Sequence, residues 1–140
     1  KVGGGVRGGG RSGGGSFINT LEVQGMAQEI LGEFNLAEEI ERFAPGSTGA
    51  GRRAETLIKH DRLRVVLVTM RTGAALHDHT APGPITIHPV RGSFAVTVGG
   101  EERRVDAGNL ISIEAGATHA VRALEDGAFL LTIGGPLAPM

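Results

Sequence analysis

The chain holds five histidines and no cysteine. Any transition-metal chemistry must therefore be built on imidazole and carboxylate, without thiolate. Three of the histidines are spaced so that they could act together. His77 and His79 are separated by one residue, and in an extended strand alternate side chains share a face. Both imidazoles are then expected to point inward, about 7 Å apart along the backbone. His119 follows Gly116 by three residues and opens another expected strand. If that strand pairs alongside, His77, His79 and His119 converge on one divalent ion. Iron, manganese, nickel and zinc are all candidates, and the sequence does not choose among them. Three protein ligands leave positions open for water, substrate or O₂, which would serve oxygenation or isomerisation of a small organic molecule. Taken alone, the HxH pair has a plainer reading as two half-exposed loop residues. His88 stands three residues after Ile85, so a regular strand turns it the other way. A bulge near Pro82–Pro84 would be needed to bring it into the site. Asp78 is expected to point away from the metal, and His60, in Lys59-His60-Asp61-Arg62, to be a solvated turn residue.

The elements that would position these side chains are short. Leu63–Met70 is rich in Val and Leu and reads as a buried strand. Segments 54–59, 85–90, 94–98, 110–113, 117–123 and 128–133, together with Val105, read as further strands. Gly73, Pro82-Gly83, Gly99-Gly100, Ala107-Gly108, Gly116 and Asp126-Gly127 separate them. Turn signals every eight to twelve residues with no long helical period indicate an all-β sandwich or barrel. Upstream, Asn35 can cap a helix and Glu38 stands in the capping-box position. Leu36, Ala37, Ile40 and Phe43 recur at helical spacing, and Pro45-Gly46 ends the run. Residues 1–25 are dominated by glycine near the start and read as a disordered leader. An RGG-like nucleic-acid tail is the alternative for that segment.

Two stretches carry a family likeness. The first is GAALHDHTAPGPITIHPVRG, Gly73 to Gly92, and the second is GNLISIEAGATH, Gly108 to His119. In that order, with fifteen residues between Gly92 and Gly108, they resemble the two motifs of the cupin superfamily. The spacing is that of small single-domain bacterial cupins of the cupin-2 type. The resemblance implies a cupin-type jelly-roll β-barrel with a short N-terminal helix, often dimeric and often holding a divalent metal. It carries His77, His79 and His119 over as metal ligands. It does not carry over the acid: the family's glutamate position, seven residues before Gly92, is Ile85. Glu114 stands where the second motif has proline, Ala123 where it ends on asparagine, and the Gly73–His77 spacing is short.

Composition narrows the rest. Of 140 residues, 40% are apolar, but aromatics are limited to five Phe, so the core must be built mainly from Val, Ile, Leu and Ala. A net charge of −1 argues against a general nucleic-acid surface or a basic membrane patch. The longest strongly apolar run is too short to cross a bilayer, and a cytoplasmic protein is expected. The expected layout is a leader over 1–25, a helix and loop over 26–53, and a barrel over 54–140. Phe94, Val96, Ile111 and Ile113 are possible lining. Apolar residues on both faces of 54–70 point to a homodimer. The expected function is a three-histidine metalloprotein acting on a small molecule. The alternative is a non-catalytic ligand-binding or sensing barrel without a functional metal site, which the missing acid favours.

Overall fold

A computed structural model describes residues 29–46 and 49–136; the leader over 1–25 lies outside them. The chain divides after Arg42 into two units. In the first, helix α1 spans Leu36–Arg42. Asn35 caps it: the Glu38 amide donates to Asn35 Oδ1 at 3.1 Å, as the spacing of the two residues predicts. Glu38 and Glu39 in the first turn and Arg42 in the last suit the helix dipole.

The second unit is built of nine strands: β1 (Arg52–Lys59), β2 (Leu63–Met70), β3 (Ala75–His79), β4 (Ile85–Arg91), β5 (Ser93–Val98), β6 (Glu101–Asp106), β7 (Ile111–Ile113), β8 (His119–Ala123) and β9 (Gly127–Gly134). They form a five-stranded sheet in the order β1-β2-β9-β4-β7 and a four-stranded sheet in the order β3-β8-β5-β6. Every pairing is antiparallel. Strands distant in sequence lie side by side, β9 between β2 and β4, and β8 between β3 and β5. That interleaving is the jelly-roll arrangement, and the all-β expectation is met.

The core lies between the sheets because each strand turns its alternate residues inward. Val68, Met70, Ile85, Ile87, Phe94, Val96, Val121 and Phe129 are its main members. With so few aromatics, one pair matters most: Phe94 and Phe129 meet edge to face across the sandwich, centroids 5.1 Å apart at 81°. β6 reads EERRVD and buries only Val105. It is an edge strand whose charges discourage pairing with another chain. Gly92 alone links β4 in one sheet to β5 in the other. It sits at φ +77°, and an added Cβ would come within 2.7 Å of the Asp126 carbonyl oxygen. The first motif therefore closes on a residue that has to be glycine.

On the outer side of β2, Leu67 is fully buried. Thr69 Oγ1 donates to the Phe43 carbonyl at 2.7 Å, and the Arg53 guanidinium stacks 4.8 Å from the centre of the Phe43 ring. Carboxylates tie one turn and one pair of strand ends. Asp126 accepts from the Thr72 amide at 2.8 Å and from Thr72 Oγ1 at 2.9 Å. Asp106 accepts from the Ser93 hydroxyl at 2.7 Å and from Arg104 at 2.8 Å. His60 lies in the β1–β2 turn as expected, its Nδ1 accepting from the Arg62 amide at 3.1 Å.

Candidate functional site

Between the sheets is a cavity of about 210 Å³. Val66 and Val68 from β2, Ile85 and Ile87 from β4, and Phe129, Leu131 and Ile133 from β9 make one wall. Leu76 and His79 from β3 with His119 and Val121 from β8 make the other. The walls are apolar because these are the inward positions of Val- and Ile-rich strands. Polar groups enter only where β3 ends, β8 begins and Thr80 leaves the sheet.

The two histidines reach the cavity by different routes. His119 shares the inward face of β8 with Val121 and Ala123, and is 9% exposed. Its Nδ1 lies 3.2 Å from the Ala117 carbonyl oxygen. As donor to that oxygen, Nδ1 carries the ring proton and Nε2 is left as an acceptor. His79 depends on an irregularity. Leu76 pairs with Val121 and His79 pairs with His119, so three steps along β3 oppose two along β8. This is a β-bulge. It puts Leu76 and His79 on the inward face together, with the imidazole centroids of His79 and His119 6.4 Å apart and the rings tilted by 35°.

The same bulge separates His77 from His79. A regular strand would place both inward, as the HxH spacing predicts. Here His77 instead lines a shallow depression of about 180 Å³, together with Ala75, Ala95, Thr97, Glu102 and Arg122. This is the outer face of the four-stranded sheet. The sequence shows no direct sign of the bulge; its one trace is the shortened Gly73–His77 spacing. His88 also stays outside. β4 pairs regularly with β9 from Ile85 to Pro89, setting His88 opposite Leu130, and no bulge reverses it. Ile85, at the position where the family has its acid, is 2% exposed and faces the cavity. Of the other expected lining residues, Phe94, Val96 and Ile113 belong to the packed core and Ile111 packs against it; none of the four lines the cavity.

The donors at the cavity are thus two imidazoles with no carboxylate. Among the described residues, no three His, Asp, Glu or Cys side chains gather closely enough to hold an ion. This set does not fit the resident divalent metal that the three-histidine reading requires. The carboxyls with shifted acidity lie elsewhere. Hydrogen bonds from the Thr72 amide and hydroxyl hold Asp126 below the usual carboxylate range. The Ser93 hydroxyl, then Arg104, do the same for Asp106. Asp126 lies in the turn between β8 and β9, and Asp106 ends β6.

Comparison with known proteins agrees with this architecture. The sequence family described as a cupin domain matches residues 66–134. Among curated proteins none matches. A conserved protein of unknown function from Streptococcus pyogenes superposes with a TM-score of 0.59 at 26% identity, over 65% of this chain and 80% of that one. KdgF from Halomonas superposes with a TM-score of 0.57 at 24% identity, over 64% of this chain and 83% of that one. An RmlC-like cupin from Shewanella frigidimarina superposes with a TM-score of 0.59 at 21% identity, over 67% and 85%. These likenesses show the fold. No described helix is long and apolar enough to cross a membrane.

Proposed function

Because the barrel is a small cupin domain of the cupin-2 type, and because fold alone does not assign chemistry, we propose from its cavity that it works as a binding or sensing barrel for one small, largely apolar molecule. The observation that carries this reading is the cavity of about 210 Å³ with apolar walls and paired imidazoles at one end. A small-molecule site is typically an apolar hollow with a few convergent polar groups that fix orientation. His79 and His119 are those groups here. An open metal site would need a third donor beside them, and His77, turned outward by the bulge, does not supply it. The missing acid points the same way, since Ile85 adds apolar wall where a ligand would stand.

The cavity mouth is held in shape. The Gly134 amide donates to the Pro84 carbonyl at 3.0 Å and the Gly116 amide to the Ala81 carbonyl at 2.9 Å. A Cβ on Gly83 would collide with the Gly134 carbonyl. A preformed site loses little ordering entropy on binding. We also propose a homodimer, supported by β1, an edge strand with exposed Ala54 and Thr56; an open strand edge is a ready pairing surface. The ligand reading is tested by thermal-shift measurements with short branched acids, amides and alcohols at millimolar concentration. At least one should raise the melting midpoint in a saturable way. A midpoint unmoved by every compound would overturn it.

A further inference from the structure

We propose that the ligand is a small carboxylic acid, its apolar body in the cavity and its carboxylate held at the mouth by the guanidinium of Arg64. This inference rests on the binding-barrel reading and adds the chemical class of the ligand.

Three observations lead to it. The first is an orphan donor. Arg64 Nε is buried and has no hydrogen-bond partner among the described residues. Buried N–H groups are nearly always paired, and a charged one without an acceptor is the costliest kind to leave so. The second is its face. Arg64 alternates along β2 with Val66 and Val68, both of which line the cavity, and it pairs with Ile133, which lines it too. Strand alternation therefore sets Arg64 on the cavity side of the sheet.

The third is its end of the barrel. Ile133 pairs with Ile85, the first residue of β4. Only residues 80–84 separate Ile85 from His79, the last residue of β3. His119, which pairs with His79, is the first residue of β8. Arg64 on one sheet and the two histidines on the other thus stand at the same end of the sandwich.

The roles divide by charge. His119 with its proton on Nδ1 offers an acceptor, which repels a carboxylate and suits a hydroxyl or water. The guanidinium offers donors in a planar fork that matches a carboxylate in two parallel bonds. A carboxylate on Arg64 would fill the vacant bond of Nε and leave the apolar remainder to the cavity. Inorganic phosphate is also an anion but has nothing to fill the apolar walls.

The test is a calorimetric titration with four probes: isovalerate, isovaleramide, 3-methylbutanol and inorganic phosphate. The proteins are the wild type, Arg64→Gln and Arg64→Lys. For the wild type, isovalerate should bind at least about tenfold more tightly than the amide, as expected for a charge-assisted paired bond against a neutral one. Phosphate should bind more weakly than isovalerate. Arg64→Gln should remove the preference, bringing isovalerate down to the affinity of the amide. Arg64→Lys, which keeps charge but loses the fork, should retain part of it. Arg64→Gln should also melt no lower than wild type, because it deletes a donor that has no partner, so the comparison is made on folded protein. Equal affinity for acid and amide, or a preference that survives Arg64→Gln, overturns the assignment to Arg64. If amide or alcohol binds and the acid does not, the inference fails and the binding-barrel reading stands. If none of the three organic probes binds, both fail. Phosphate as tight as isovalerate would make the mouth a general anion site and overturn the carboxylic-acid assignment.

Discussion

A cavity kept open for a ligand costs stability, and the structure lets that cost be estimated. Val66 is half-buried in the middle of β2 with its side chain on the cavity. Val66→Phe adds roughly 50 Å³ of apolar side chain, worth about 1.2 kcal/mol at ~24 cal/mol per Å³ of cavity filled. That is about a quarter of the 210 Å³ available, so the ring can enter without displacing the opposite wall. For a domain of this size, about 1 kcal/mol moves the melting midpoint by roughly 5 °C. The variant should therefore melt about 5 °C higher than wild type by calorimetry while losing affinity for every ligand that stabilises the wild type. Gain of stability with loss of binding is the signature of filling a functional hollow. If the hollow were not there, the same substitution would overpack a filled core and cost about 1–3 kcal/mol. A lower midpoint, or ligand shifts as large as those of wild type, would refute the reasoning.

Ile85→Glu places a carboxylate on the cavity wall opposite the one that carries His79 and His119. The variant should take up zinc or nickel after dialysis, measured by elemental analysis, where the wild type carries only trace metal. Equal metal in both would show that the wild-type donors already suffice. Asp126→Ala removes both Thr72 hydrogen bonds and should lower the midpoint at neutral pH. Because the Asp126 carboxyl is held below its ordinary value of about 3.9, its contribution is present above that value and fades as pH falls through the lowered one. The gap between wild type and variant should therefore close in strong acid, which melting curves across pH would show. Light scattering at tens of micromolar should give a dimer mass, and a strictly monomeric mass would remove the homodimer proposal.

Much of the barrel is legible in the sequence because strand burial writes itself as alternation and turns as glycine. Leu63–Met70, Phe94–Val98 and Ala128–Ile133 are recovered within a residue or two, as is the Asn35 cap. β6 is legible only at Val105, since an edge strand of charged residues lacks the apolar period. The site is half legible. His79 and His119 meet as expected, from a strand pairing that no local pattern encodes but that the motif order implies. His77 is misplaced by the same logic that places His79, because a period of two holds only while the strand is unbroken. The bulge changes parity without changing composition. Arg64 goes unremarked in the sequence, since an arginine beside a Val-rich run reads as solvated until its pairing with Ile133 puts it on the cavity side.

The most direct test is methyl NMR on protein labelled at Val, Leu and Ile, titrated with isovalerate. The account predicts saturable shifts at Val66, Val121, Leu131 and Ile133, with Val105 and Leu110 unmoved. Shifts that never saturate, or that cluster on the outer faces while the cavity methyls stay fixed, would contradict it.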